Sequence, residues 1–238
     1  MMEDIPGYVA GTFIAIVIAV LGFIFYSVSV ATNGKKNLTP SFVLTLLIGW
    51  IFFVSVLTFN GYFTNLSGVP RLPMFVGIAA AFILLLFLWP RTRSILMKMP
   101  ITTLHYIHIV RVPVEMVLWW LAVSRAIPMD MTFEGSNLDI LSGISAPFAA
   151  VFMVGSRSKS KLGAIIWNLI AMALLINIVS IAISYLPYFY TPTGGKVGNL
   201  GVFYFPYVLL PTFIVPAVLF SHLVSLYQLI FKKDQSQF

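Results

Sequence analysis

Long apolar runs, each about as wide as a bilayer, alternate along this chain with short polar or basic connections. A helix rises about 1.5 Å per residue, so roughly 20 apolar residues cross a hydrocarbon core about 30 Å thick. Seven such runs can be read, at residues 6–31, 41–60, 73–89, 101–126, 140–156, 162–186 and 202–231. They predict an all-α polytopic membrane bundle, seven transmembrane helices in one domain over residues 1–238. A soluble helical domain of this length would carry amphipathic stripes instead of uniformly apolar stretches.

The runs differ in texture. In the first, Gly7, Gly11, Ala15 and Ala19 recur every fourth residue and make a smooth ridge for close helix packing. The fifth is short and interrupted by Gly143, Ser145 and Pro147, and the seventh contains Pro206, Pro211 and Pro216. Interrupted helices expose carbonyls and helix ends, which is how many transporters build sites at the bilayer midplane.

The fourth run organises the rest. Between Leu104 and Trp120 it reads LHYIHIVRVPVEMVLWW, and at about 100° per residue His105, His108, Arg111 and Glu115 fall on one side of a helix. Charged groups at that depth cost at least roughly 2.5–3.5 kcal/mol each, so this side must face other helices or a watery cavity. Arg111 and Glu115, four residues apart, are placed to pair along the helix, either as structural glue or as a site for an ion, a proton or a charged headgroup. Pro113 frees a backbone carbonyl one turn earlier.

Composition sharpens the class. Of the 238 residues 60% are apolar and only 9% charged, against about 25% charged in an ordinary soluble domain. The absence of cysteine removes disulfides, thiolate nucleophiles and cysteine-ligated zinc or iron–sulfur centres. The net charge of +7 does not point to nucleic acid, because the excess lies in the connections between runs. Lys35, Lys36, Arg91, Arg93, Lys98, Arg157, Lys159, Lys161, Lys232 and Lys233 fall on one side, against Arg71, Arg125 and Lys196 on the other. The positive-inside rule then puts the C-terminus in the cytoplasm and the N-terminus outside, in a cell (inner) membrane. The segment before the first run is acidic and lacks the basic region of a secretory signal, so that run is expected to remain as a span.

The connection after the fourth run is the most hydrophilic, with Asp130, Glu134, Asn137 and Asp139. It departs from the calcium-loop pattern, since Thr132, Glu134 and Leu141 stand where ligands belong, and reads as a solvated acidic mouth.

Three functional readings follow. The leading one is a transporter or permease for a small solute or ion, with Arg111, Glu115, His108, His105 and Asn177 at the site and the histidines on its inner side. The second is a membrane-embedded enzyme or redox protein, with a divalent metal or haem held by His105, His108 and His222, which share a leaflet in the seven-span layout. The third is a receptor or accessory subunit of a larger membrane complex or homo-oligomer. The expected partners are the lipid bilayer and a small solute or ion.

Overall fold

The computed structural model describes residues 5–34, 37–155 and 160–232, and among these the chain is helical with no strand. The elements are α1 (Gly7–Thr32), α2 (Thr39–Phe59), α3 (Arg71–Leu88), α4 (Pro90–Leu96), α5 (Ile101–Val123), α6 (Ile140–Met153), α7 (Lys161–Ser184) and α8 (Leu210–Phe231). Proline punctuates them. Pro6, Pro70 and Pro100 immediately precede helices, and Pro40 and Pro90 occupy first turns, where a missing N–H costs nothing. Asn33, at a left-handed φ of 57°, closes α1 and donates its N–H to the Ser29 carbonyl. The Ser160 hydroxyl opens α7 by accepting the Gly163 N–H at 3.1 Å.

Six helices of the described residues, α1, α2, α3, α5, α7 and α8, are long and apolar enough to cross a membrane, which is consistent with a multi-pass helical bundle. The fifth expected run is shorter than read. Its nine α-helical residues are followed by five wound as π-helix, Ala149–Met153, and the helix ends there, three residues before the expected boundary. At 1.5 Å per residue α6 extends about 20 Å, short of the roughly 30 Å of a hydrocarbon core. Pro147 cannot donate to the Gly143 carbonyl, and the wider turn follows it. The last run also begins late. Pro206 and Pro211 keep residues 204–208 out of the helix, and α8 opens with a π turn at Leu210–Ile214. Of the residues used for the charge count, Lys35, Lys36, Arg157, Lys159 and Lys233 lie outside the described residues.

Helices α5 and α8 form the centre, each with 56% of its apolar window buried, whereas α2 has only 11%. The main core joins Val9, Phe13 and Val20 of α1 to Val117, Leu118 and Leu121 of α5 and to Ile214 and Val218 of α8. At the periphery, Phe42 and Phe52 of α2 and Phe82 and Leu85 of α3 are exposed, the surface expected against acyl chains. The Trp50 indole N–H of α2 donates to the Thr212 carbonyl at 3.0 Å, a group to which Pro216, four residues on, has no N–H to give.

Candidate functional site

The winding of α5 sets the geometry. Pro113 has no N–H for the Ile109 carbonyl, and the four residues Ile107–Val110 tighten into a 3-10 turn between two α-helical pieces. His105, His108, Arg111 and Glu115 are all buried, so the polar side of this helix faces the bundle as its pattern predicts.

Arg111 and Glu115 do not pair with each other along the helix. The Arg111 Nε instead lies 3.1 Å from Asp139 Oδ2 at the start of α6, and Arg111 Nη2 donates to the Ala171 carbonyl of α7 at 3.0 Å. Glu115 Oε1 accepts from the Asn137 amide, which also donates to the Met131 carbonyl at 3.0 Å. The Asn137 Oδ1 turns back to accept the Asp139 N–H at 2.9 Å, an Asx turn that aims the Asp139 carboxylate inward. The connection before α6 is therefore not a solvated acidic mouth throughout. Met131, Thr132, Asn137 and Asp139 are buried, because two charges on α5 need partners that the other helices lack. Asp130 stays outside and accepts a hydrogen bond from the Tyr185 hydroxyl, which pushes that phenol up to about 12.

Close approach of α6 makes the ion pair reachable. A Cβ on Gly143 would stand 2.8 Å from Val112 Cγ2 and 3.0 Å from the Val112 backbone nitrogen, so only glycine lets α6 lie this near Arg111.

One turn toward the other end of α5, the histidines form a second cluster with α7 and α8. His105 Nδ1–H donates to the Ile101 carbonyl at 2.8 Å, which leaves Nε2 to accept the Asn168 amide at 3.1 Å. The Asn168 Oδ1 accepts from His222 Nδ1 at 2.9 Å, while its amide also donates to the Ala164 carbonyl at 2.9 Å. These partners assign the Nδ1–H tautomer to both His105 and His222. The His108 ring stacks on His222 with centroids 4.0 Å apart, and Trp167 lies 5.3 Å from His105. His108 uses neither ring nitrogen, and His222 Nε2 is also without a protein partner.

This stack stands where a metal or haem was expected at His105, His108 and His222. The three do converge, but His108 and His222 meet face to face with their lone pairs in the ring planes, and both nitrogens of His105 are taken. Among the described residues no three histidine or acidic side chains are arranged to hold a metal ion. Asn177 joins neither cluster. It lies two and a half turns from Asn168, on the exposed side of α7, and donates to the Ser136 carbonyl at 3.0 Å. Sequence reasoning passed over Asp139 and Asn137. The usable signal was Asn-x-Asp directly before an apolar helix, a turn-and-cap pattern, beside a buried arginine in need of an acid.

A partly enclosed cavity of about 140 Å³ lies between α3, α5, α7 and α8. Its walls are almost wholly apolar, with Leu118, Leu175, Ile178 and Val218 among them. Arg111, Glu115 and Asp139 supply the polar part, and Asn199 from the connection before α8 joins them. Arg111 Nη1, Glu115 Oε2, Asp139 Oδ1 and Asn199 Oδ1 are buried without a protein hydrogen-bond partner.

A family described as a domain of unknown function (DUF8737) matches residues 70–230, more than half of the chain, and that segment includes every residue of both clusters. No curated protein and no solved structure matches the chain.

Proposed function

We propose that this chain, which belongs to the DUF8737 family, is an inner-membrane transporter for a small solute or ion whose site is the cavity at Arg111, Glu115 and Asp139. The observation that carries this reading is that Arg111, Glu115, Asp139 and Asn199, residues in the walls of that cavity, hold buried polar atoms without a protein partner. Each buried polar group left unpaired costs about 1–3 kcal/mol, and an ion pair serving only as glue would be closed off by neighbouring donors and acceptors. A ligand that enters and leaves accounts for atoms held ready but unused.

In this reading α6 is the seventh, short span, which puts the N-terminus outside and the C-terminus in the cytoplasm. Arg91, Arg93, Lys98, Lys161 and Lys232 then lie at the inner face, against Arg71, Arg125 and Lys196 at the outer one. The cluster of His105, Asn168 and His222, about a turn of α5 from Arg111 on the inner side, supplies groups able to pass a proton.

Flux through reconstituted vesicles loaded with a pH-sensitive dye, challenged with small amines and small acids, tests the assignment. Glu115→Gln and Arg111→Ala are each expected to lower flux at least tenfold in protein that remains monodisperse. Unchanged flux in both variants ends the reading.

A further inference from the structure

We propose that the cavity takes a small protonated amine whose apolar body is about the size of benzene. This rests on the transport reading and names the class of its substrate.

The size comes from the volume. An engineered apolar cavity of about 150 Å³ accepts benzene, and this one, at about 140 Å³ with Leu118, Leu175, Ile178 and Val218 in its walls, is close to that limit. A bare inorganic cation would meet the polar corner and leave the apolar space empty.

The charge comes from a donor and acceptor count. The unpartnered atoms are three acceptors, Glu115 Oε2, Asp139 Oδ1 and Asn199 Oδ1, and two guanidinium nitrogens of Arg111, Nη1 and Nε, of which Nε already stands 3.1 Å from Asp139 Oδ2 in the ion pair. The Asn199 oxygen is fixed as the free end, because its amide nitrogen donates to the Ala182 carbonyl at 3.0 Å. All four side chains are nearly sealed from solvent, at 2% exposure for Arg111, 1% for Glu115, 6% for Asp139 and 1% for Asn199. An ammonium brings three donors and no acceptor, which matches the surplus. A carboxylate brings only acceptors and would face two carboxyl groups and an amide oxygen. Charge agrees with this, since two carboxyl groups and one guanidinium line the cavity, and with both acids ionised a bound cation completes the balance.

Benzylamine, benzyl alcohol, benzoate and sodium chloride are the probes, with thermal unfolding and calorimetric titration of the full chain in nanodiscs at neutral pH. Benzylamine alone is expected to raise the unfolding midpoint by several degrees with a saturable isotherm. Glu115→Gln should weaken it at least tenfold. Val179→Phe, which fills the cavity wall without touching the polar groups, should abolish binding and keeps the test valid if the first variant folds poorly. Benzoate binding as well as benzylamine, equal response to the uncharged alcohol, or sodium producing the full shift and blocking the amine each overturns the amine assignment. If no probe binds while Glu115→Gln still lowers flux, the amine falls and transport stands. If Glu115→Gln leaves flux intact too, both fall.

Discussion

Removing Asp139 isolates a buried guanidinium, and the resulting loss can be worked from the geometry. Arg111 Nε and Asp139 Oδ2 are 3.1 Å apart, with side chains 3% and 8% exposed. At an effective dielectric constant of about 20, two unit charges at that distance attract by ~5 kcal/mol. Breaking a buried pair from one side typically costs about 3–5 kcal/mol, because the survivor stays buried and uncompensated. Asp139→Ala is therefore expected to destabilise the chain by about 3–5 kcal/mol. The Arg111→Met, Asp139→Leu double variant should recover most of this, since an apolar pair of similar volume removes both desolvation costs. Glu115→Gln should cost under about 1 kcal/mol, because the amide oxygen still accepts from Asn137. Reversible denaturant unfolding in mixed micelles gives these differences, with the Arg111→Met and Asp139→Leu single variants measured beside the double. A cost for Asp139→Ala no larger than that for Glu115→Gln, or a double variant as unstable as the sum of its singles, would refute the pairing.

Gly143→Ala should destabilise by about 1–3 kcal/mol in the same unfolding assay, since its Cβ would press on the Val112 backbone 3.0 Å away, and Gly143→Leu should be worse. Asn168→Leu removes the partner of both His105 Nε2 and His222 Nδ1, so a loss of about 2–5 kcal/mol is expected. Nitrogen NMR should show His105 still in the Nδ1–H form, held by the Ile101 carbonyl, and His222 no longer confined to one tautomer. The Tyr185 phenol, at about 12, should fall back toward about 10 in Asp130→Ala, read from phenolate absorbance. As the folded value is the raised one, the stability it confers is complete below about 10 and is lost as pH rises through about 12.

The inward direction of His105, His108, Arg111 and Glu115 was legible because lipid makes any other orientation too costly. Their partners were not. Asp139 and Asn137 sit between apolar runs, and polarity alone assigns such residues to solvent, whereas the unmet charge on α5 draws the connection back into the bundle. Nine residues apart, Asn168 and Asn177 point to opposite sides of a helix, and the spacing alone does not say which faces inward. The answer depends on Trp167 and Ala171, whose burial turns the Asn168 side toward α5 and α8. The long apolar helices were plain, yet Pro147, Pro206 and Pro211 moved the ends of α6 and α8, because one missing N–H shifts a boundary that hydropathy cannot register.

The 3-10 stretch at Ile107–Val110 makes α5 a rod with a gear change at its middle. A residue there advances about 2.0 Å and 120°, against about 1.5 Å and 100° in an α-helix. Rewinding those four residues would shorten the rod by about 2 Å and twist the imidazole end by about 80° relative to the guanidinium end. Because His105 and Arg111 ride on the two sides of that segment, a change of pitch at one end is felt as torque at the other.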